Sequence, residues 1–146
     1  MTAKIRKSDA EWRRQLSREQ YAILRQQATE RPFSGKYVHE KSPGIYACAA
    51  CGQALFSSTT KYDSHCGWPS FWDVVDGDHV ELREDRSYGM RRIEVLCRRC
   101  DSHLGHVFED GPRETTGLRY CINSLALDLQ AETPTPNPFP IQREGL

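Results

Sequence analysis

Residues 91–100, RRIEVLCRRC, combine a strand pattern with a paired-cysteine turn, and these two signals decide the fold class. In an extended chain, Ile93 and Val95 lie on one face, and Arg92 and Glu94 lie on the other. The run ends in a Cys-x-x-Cys pair, where a turn can close around a metal ion. The stretch therefore predicts one strand of a small β domain that a metal ion stabilises.

A second Cys-x-x-Cys pair, CAAC at residues 48–51, is separated from the first by 45 residues. Two such pairs can each present two thiolates to one tetrahedral ion, and soft sulfur ligands favour zinc. Because four thiolates leave no open coordination position, the ion would be structural and not catalytic. We therefore predict Zn²⁺ as a structural cofactor, held by Cys48, Cys51, Cys97 and Cys100.

The four paired cysteines have two other interpretations, as unligated thiols or as two redox-active pairs. A thioredoxin-like redox pair needs a helix directly after it and a βαβ setting. Neither pair has that context, because short strand-like runs surround both of them. The spacing favours the metal site, but it does not exclude the two alternatives.

The chain after residue 35 consists of short runs rich in aromatic and β-branched residues, broken by Gly, Pro, Asp and Ser. Such runs with little intervening helix predict an antiparallel β domain. Before them, Ser8 with Glu11 and Ser17 with Gln20 have the spacing of capping boxes, which predicts a short helix followed by a longer one over 17–27. The candidate strands are 44–48, 53–56, 79–84, 90–96, 106–108, 118–123 and 126–129.

Length and charge limit the organisation and the partners of the chain. Its 146 residues suit one domain, and a formal net charge of zero argues against broad attraction to nucleic acid or to a membrane surface. No apolar run approaches the length of a membrane span, and no apolar signal core follows the basic N-terminus, so we expect a cytoplasmic protein. We predict a flexible N-terminus (1–7), a single domain (8–130) and a Pro-rich tail (131–146).

Two cysteines stand outside the pairs, and the first is Cys121 in RYCINS, residues 119–124. Arg119 lies two positions before it on the same strand face, where a cation lowers the pKa of a thiol. Asn123 shares that face and offers a hydrogen-bond donor. An arginine, a thiol and an amide on one face indicate a reactive site, although a buried, inert cysteine is the simpler alternative.

The second lone cysteine, Cys66, lies in KYDSHCGWPSFW, residues 61–72, where a glycine and a proline enforce a turn. Three aromatic residues follow it closely. We expect Phe71 and Trp72 to anchor this loop in the core, which leaves Trp68 as an apolar wall beside the thiol.

Two histidines follow the second cysteine pair directly, in HLGHVFEDGP at residues 103–112. Because four sulfurs already complete the zinc site, His103 and His106 are better interpreted as acid–base or hydrogen-bonding groups than as metal ligands. Asp110, shortly after them, could orient one of the two imidazoles. Taken singly, each of the three residues would more often be an ordinary structural residue.

Taken together, these motifs resemble the B-type methionine sulfoxide reductases, which reduce the R epimer of methionine sulfoxide, mainly in peptides and proteins. The resemblance covers about residues 8–129 and implies a mainly β fold of two antiparallel sheets with helices at the N-terminal side. It also places the chain in the subgroup with a structural zinc. The motifs that carry it are TERPFSG (29–35), CGWPSF (66–71), HLGHVFEDGP, RYCINS and the two Cys-x-x-Cys pairs.

The resemblance implies Cys121 as the nucleophile and Cys66 as the thiol that recycles it. Attack on the sulfoxide sulfur would leave Cys121 as a sulfenic acid, which condenses with Cys66 to a disulfide. Thioredoxin would then reduce this bridge by exchange. The resemblance also implies the residues of the substrate pocket, which are Trp68, His103, His106, Asp110, Arg119 and Asn123.

Each pocket residue has an expected task in this chemistry. Arg119 would favour the thiolate, and the two histidines would give hydrogen bonds or protons to the sulfoxide oxygen. Asp110 would fix a histidine tautomer, and Asn123 would hold the reacting groups in register. Trp68 would pack against the S-methyl group of the substrate.

One position departs from the family pattern, and two other functions compete with the reductase. His65 stands where the family usually has glycine before the loop cysteine, and a side chain there stiffens the loop.

A zinc-ribbon-like binding module is one alternative function, since Arg98 and Arg99 lie in one of the two Cys-x-x-Cys turns; a thiol peroxidase is the other. For the reductase we expect oxidised proteins or peptides as substrates, thioredoxin as reductant, a monomer, and no nucleic-acid or membrane partner.

Overall fold

The computed structural model describes residues 4–131, so the end of the N-terminus (1–3) and residues 132–146 of the expected Pro-rich tail lie outside the described residues. Helix α1 spans Asp9–Gln15 and helix α2 spans Arg18–Gln26. Both begin with the predicted capping boxes, in which the Ser8 and Ser17 hydroxyls accept hydrogen bonds from backbone N–H groups of the first turn. The helix predictions are therefore confirmed.

Within residues 4–131, nine strands form two antiparallel sheets, as the resemblance implied. The smaller sheet has the order β2-β1-β9 and the larger one the order β3-β4-β8-β7-β6-β5. All seven predicted strands are present, and the two additional ones have only two residues each. The strands are β1 (Gly44–Cys48), β2 (Ala54–Ser57), β3 (Lys61–Tyr62), β4 (Ser70–Phe71), β5 (Val80–Asp85), β6 (Arg92–Cys97), β7 (His103–Phe108), β8 (Arg119–Ile122) and β9 (Leu127–Ala131).

Aromatic side chains join the two sheets. The Phe71 ring stacks on Phe56 with 4.4 Å between centroids and meets Tyr46 edge-on at 5.2 Å. Phe71 is completely buried, as expected, whereas Trp72 lies just past the end of β4 and stays partly exposed, so it is a weaker anchor than predicted. Within residues 4–131, no helix is long and apolar enough to cross a membrane.

The register of the larger sheet builds one row of side chains across five strands. Tyr62 pairs with Ser70, Ser70 with Cys121, Cys121 with His106, and His106 with Glu94. Directly paired residues of neighbouring strands project to the same face of a sheet. These four pairings thus bring residues between positions 62 and 121 onto one surface.

Candidate functional site

The four paired cysteines form one cluster in which all sulfur atoms lie within 4.8 Å of one another. The Sγ atoms of Cys48 and Cys100 are 3.7 Å apart, and those of Cys51 and Cys97 are 3.5 Å apart. A tetrahedral zinc ion with Zn–S bonds of about 2.3 Å separates its sulfur ligands by roughly 3.8 Å. The cluster therefore has the size and the donor chemistry of a four-thiolate zinc site.

Both halves of the cluster are built by the same local geometry. Cys48 ends β1, and its carbonyl accepts a hydrogen bond from the Gly52 N–H at 2.8 Å. Cys97 ends β6, and its carbonyl accepts an equivalent bond from the Asp101 N–H at 2.8 Å. Gly52 and Asp101 both have left-handed backbones, with φ of 85° and 63°. Each Cys-x-x-Cys pair is thus a tight turn that faces the other pair.

The two lone cysteines also meet, with their Sγ atoms 3.4 Å apart. Cys66 lies in the loop between β3 and β4, and Cys121 lies on β8. The pairing of Ser70 on β4 with Cys121 brings the loop against the strand. A disulfide has an S–S distance of about 2.05 Å, so the two sulfurs need only a small approach to form a bond.

One proton shared by this sulfur pair moves the two thiol pKa values in opposite directions. The hydrogen bond from Cys121 lowers the pKa of Cys66 to about 4, against the effect of burial and with help from two serine hydroxyls. The same hydrogen bond and then burial raise the pKa of Cys121, while the Arg119 guanidinium acts in the opposite direction. With Cys66 as the acceptor, this shared hydrogen bond favours a thiolate on Cys66, whereas Arg119 favours one on Cys121.

This charge distribution predicts unusual thiol reactivity in the reduced protein. An ordinary thiol with a pKa of about 8.5 is almost fully protonated at about pH 6. Because the pKa of Cys66 is about 4, we expect iodoacetamide to modify one of the two lone thiols rapidly at about pH 6. Peptide mass spectrometry over a pH series measures the rate. A midpoint near the ordinary thiol value would contradict the shared proton.

A cavity of about 250 Å³ opens above the sulfur pair. Its wall combines the two sulfurs with one indole, one imidazole and two guanidinium groups. It has the size for one small side chain and both apolar and polar contacts for it. The lining residues are Thr29, Cys66, Trp68, Arg92, Gly105, His106, Phe108, Arg119, Cys121 and Asn123.

His106 and His103 are each held by a carboxylate. The Asp85 carboxylate accepts a hydrogen bond from His106 Nε2 at 2.8 Å, and the Glu94 carboxylate accepts one from His103 Nδ1 at 2.7 Å. Burial lowers the pKa of His106 below its ordinary value, partly offset by Asp85. His106 lines the cavity, whereas His103 does not: it is 3% exposed, and its Nε2 has no hydrogen-bond partner among residues 4–131.

A bulge explains why the two imidazoles lie together, with ring centroids 5.5 Å apart. Residues three apart on a regular strand project to opposite faces. Here the register between β6 and β7 shifts, so that Leu96 pairs with His103 and Val95 with Gly105. The extra residue, Leu104, restores both histidines to the face that carries Glu94.

The structure places Asp110 with Arg119 and not with a histidine. Its carboxylate accepts hydrogen bonds from Arg119 Nε at 2.9 Å and Nη2 at 3.2 Å. Asp110 follows the end of β7, next to the position where Phe108 pairs with Arg119, and this pairing decides its partner. The expected orientation of a histidine by Asp110 is thus carried out by Asp85 and Glu94, from β5 and β6.

Trp68 and Asn123 are connected through the buried residue Glu30. The Glu30 carbonyl accepts a hydrogen bond from Trp68 Nε1 at 3.0 Å, and its N–H donates to Asn123 Oδ1 at 3.0 Å. The Glu30 carboxylate accepts bonds from the backbone N–H groups of Ser124 and Leu125 at 2.8 and 3.0 Å. Glu30 therefore ties the indole of the cavity wall to the end of β8.

Sequence reasoning missed Glu30, Asp85 and Glu94 as residues of the site, and it singled out no serine near Cys66. Glu94 did carry a signal, because the strand pattern of 91–100 placed it with Arg92 on a charged face. Glu94 on that face is 3% exposed, while Ile93 on the other face is 37% exposed and Val95 is completely buried, so β6 is buried on both faces from Glu94 onward. A charged strand face next to two histidines is thus the signal that indicates a buried polar site.

His65 has the backbone conformation that explains why glycine suits its position. Its φ is 63°, in the left-handed region that glycine adopts without strain and that Asn, Asp and His adopt more often than other residues. The His65 side chain is 84% exposed and lies 3.4 Å from Asp63. The histidine therefore keeps the loop geometry and projects into solvent beside Cys66.

Comparison with known proteins gives a consistent result. The sequence model of the SelR domain matches residues 16–131. A protein of Methanosarcina mazei named peptide methionine sulfoxide reductase MsrB is 61% identical over 132 residues, which cover 90% of this chain and 94% of that protein. A protein of the same name from Chromohalobacter salexigens is 56% identical over 128 residues, covering 88% and 96%.

A solved structure shares the fold at lower similarity. The crystal structure of the Mis18 'Yippee-like' domain superimposes with a TM-score of 0.50 at 21% sequence identity. The match covers 62% of this chain and 98% of that domain. At this identity the likeness concerns the fold alone.

Proposed function

This chain belongs to the SelR-domain family of B-type peptide methionine sulfoxide reductases, and on that premise we propose that it reduces the R epimer of methionine sulfoxide with Cys121 and recycles with Cys66. The observation that carries the proposal is the distance of 3.4 Å between the two sulfurs at the cavity. The chain is an oxidoreductase. Its family membership favours the reductase over the two alternative functions, a zinc-ribbon-like binding module and a thiol peroxidase.

The reductive step joins Cys121 to the substrate sulfur. For the attack, the proton on Cys121 passes to the Cys66 thiolate, 3.4 Å away, and leaves Cys121 as the nucleophile. The bond between the Cys121 sulfur and the substrate sulfur then breaks together with the S–O bond of the substrate. The oxygen passes to the Cys121 sulfur with one proton, so that methionine and a sulfenic acid are the products. The oxygen gains negative charge on the way and needs a hydrogen-bond or proton donor.

His106 is the best placed donor for that oxygen. Its Nε2 is occupied by Asp85, which leaves Nδ1 as the ring nitrogen for a ligand in the cavity. In the neutral ring Nδ1 carries no hydrogen, so it donates to the oxygen only when the ring is protonated, a form that Asp85 stabilises against the larger effect of burial. His103 supports this group from the neighbouring position on the same face, and Glu94 fixes the His103 tautomer.

The other cavity residues set the position of the substrate. Trp68 offers an apolar surface for the S-methyl group, and its bond to Glu30 fixes the orientation of the indole. Arg119 is held by Asp110 and lies over the Phe108 ring at 4.4 Å, where it favours a thiolate on Cys121. Three fixed directions around the sulfur, for methyl, oxygen and thiol, would select one epimer.

Recycling requires an intramolecular disulfide and an external dithiol. Cys66 condenses with the Cys121 sulfenic acid, and the S–S bond forms as water leaves. A dithiol protein such as thioredoxin then reduces the bridge by exchange. We propose that the chain acts as a monomer, and that Zn²⁺ bound by Cys48, Cys51, Cys97 and Cys100 stabilises the fold without entering the reaction.

The Cys66→Ser variant tests the two roles separately. We expect one equivalent of methionine per protein in a single turnover, because Cys121 remains, although more slowly, because the thiolate that accepts the Cys121 proton is removed. Turnover with thioredoxin should fall by at least about tenfold, because no disulfide can form. Methionine released with and without thioredoxin, measured by chromatography, gives both values. If the variant turned over normally with thioredoxin, Cys66 would not be the recycling thiol.

A further inference from the structure

A serine outside the proposed reaction lies against the recycling thiol. Ser70 is 1% exposed and pairs across the sheet with Cys121. Its Oγ lies 3.4 Å from the Cys66 sulfur and 2.6 Å from the Ser64 Oγ. It also donates to the Trp68 carbonyl at 3.1 Å in one hydroxyl orientation. The hydroxyl thus stands between the loop that carries Cys66 and the strand that carries Cys121.

Ser64 contacts both the Ser70 hydroxyl and the backbone of Cys66. Its Oγ accepts a hydrogen bond from the Cys66 backbone N–H at 3.4 Å. When the Ser64 hydroxyl donates to Ser70, the Ser70 hydrogen is left for either the Cys66 sulfur or the Trp68 carbonyl. The two serines therefore hold both the backbone and the sulfur of one residue.

The arrangement suits both protonation states of the thiol. As a thiol, Cys66 can donate its S–H to the Trp68 carbonyl, 3.5 Å away. As a thiolate it needs a donor, and the Ser70 hydroxyl can rotate from that carbonyl to the sulfur. A hydroxyl rotor of this kind changes its partner without a movement of the backbone.

We propose that Ser70 is a positioning residue for recycling, which donates its hydroxyl hydrogen to the Cys66 sulfur and aims that sulfur at Cys121, with Ser64 completing the pair. The inference rests on the proposed role of Cys66 as the recycling thiol. In the step concerned, Cys66 first releases to the medium the proton that it took from Cys121, and its thiolate then forms the S–S bond to the Cys121 sulfenic sulfur. The S–O bond breaks, and the departing hydroxide takes one proton from the medium and leaves as water.

Charge and acidity agree with this assignment. Ser64 and Ser70 are both among the groups that lower the pKa of Cys66, after the larger effect of Cys121. Once Cys121 is oxidised to a sulfenic acid, its thiol no longer donates to Cys66. Within the described residues, the Ser70 hydroxyl is then in place to donate to the thiolate when it has to react, and Ser64 accepts from the Cys66 backbone N–H.

The test separates the two half-reactions in the Ser70→Ala variant. Reduced protein is mixed with methionine sulfoxide without reductant, and methionine release and loss of free thiols are followed together by quenched flow. We expect disulfide formation to slow by roughly tenfold relative to methionine release, since hydrogen bonds to charged groups have effects of this order. The pH midpoint of disulfide formation should also move upward, because the thiolate loses a donor.

Matched variants distinguish this role from a structural one. Ser70→Thr keeps a hydroxyl and should recover most of the rate, and Ser64→Ala should give a smaller loss in the same step. Ser58→Ala removes a hydroxyl that accepts from Gly44 N–H, away from the sulfur pair, and should leave the ratio of the two rates unchanged. Should Ser70→Ala fail to fold, Ser64→Ala carries the test through the same pH profile.

The possible results are distinct for each proposal. Normal disulfide formation with an unchanged pH midpoint in Ser70→Ala, or in Ser64→Ala if the first variant does not fold, would overturn the role of the serine pair. A wild-type protein that releases methionine but forms no disulfide between Cys66 and Cys121 would instead overturn the recycling scheme itself. A wild-type protein that releases no methionine would overturn the proposed reaction.

Discussion

Cys121→Ser should lower the rate of methionine sulfoxide reduction by about a thousandfold or more, since a neutral alcohol is a poor nucleophile toward sulfur. The side chain keeps nearly the same volume, so the cavity and the fold should be retained. Single-turnover release of methionine from a methionine sulfoxide peptide measures the effect. The R and S epimers are assayed separately, and wild-type protein should consume the R epimer.

The matched control for this loss is Cys66→Ser, which removes the other sulfur of the same pair, 3.4 Å away. That variant should still release one equivalent of methionine, whereas Cys121→Ser should release almost none. Near-normal methionine release by Cys121→Ser would show that another group performs the attack. Thermal unfolding of both variants should be similar, which separates lost chemistry from lost structure.

Cys48→Ser should reduce stability more than any other single change considered for this protein. Its sulfur is buried and belongs to the four-thiolate cluster, so the variant loses one ligand where the smaller sheet meets the larger one. Loss of a structural metal can lower the free energy of unfolding by about 4 kcal/mol or more. We expect bound zinc to fall well below one equivalent, and much of the protein to be unfolded or aggregated.

Metal analysis and chemical denaturation of the purified variant measure both parts of this expectation. Cys66→Ser again serves as the control, because it removes a thiol outside the cluster and should keep one zinc per chain. A wild-type protein stripped of zinc by a chelator should lose stability in the same way. Unchanged stability after removal of the metal would contradict a structural ion.

Local patterns were sufficient for the helices, the main strands and the two cysteine turns. A capping box closes within four residues, a strand shows its period over five or six, and a Cys-x-x-Cys turn is complete in itself. Each of these features forms between residues that are close together in the chain, so a short stretch of sequence is enough to predict it. Strands β3 and β4 were not predicted, because two residues are too few to show the alternating pattern of a strand.

The partners of the histidines could not be read in this way. Asp85 lies 21 positions from His106, and Glu94 lies nine positions from His103. Their contacts depend on which strands pair, in which register, and on the bulge at Leu104. Asp110 is close to both histidines in sequence and was therefore expected to bind one of them. The pairing of Phe108 with Arg119 instead brings Arg119 beside Asp110, and the two residues form a hydrogen bond.

By itself, the amino-acid sequence determined the mainly β class, the four cysteines of the candidate metal site and the family, since these rest on residue types at short, ordered spacings. Only the tertiary structure decided that the lone sulfurs are in contact and that Asp85, Glu94, Glu30 and Ser70 lie at the site. The physical reason is that hydrogen bonds and pKa values follow distances between atoms, and strand pairing determines those distances.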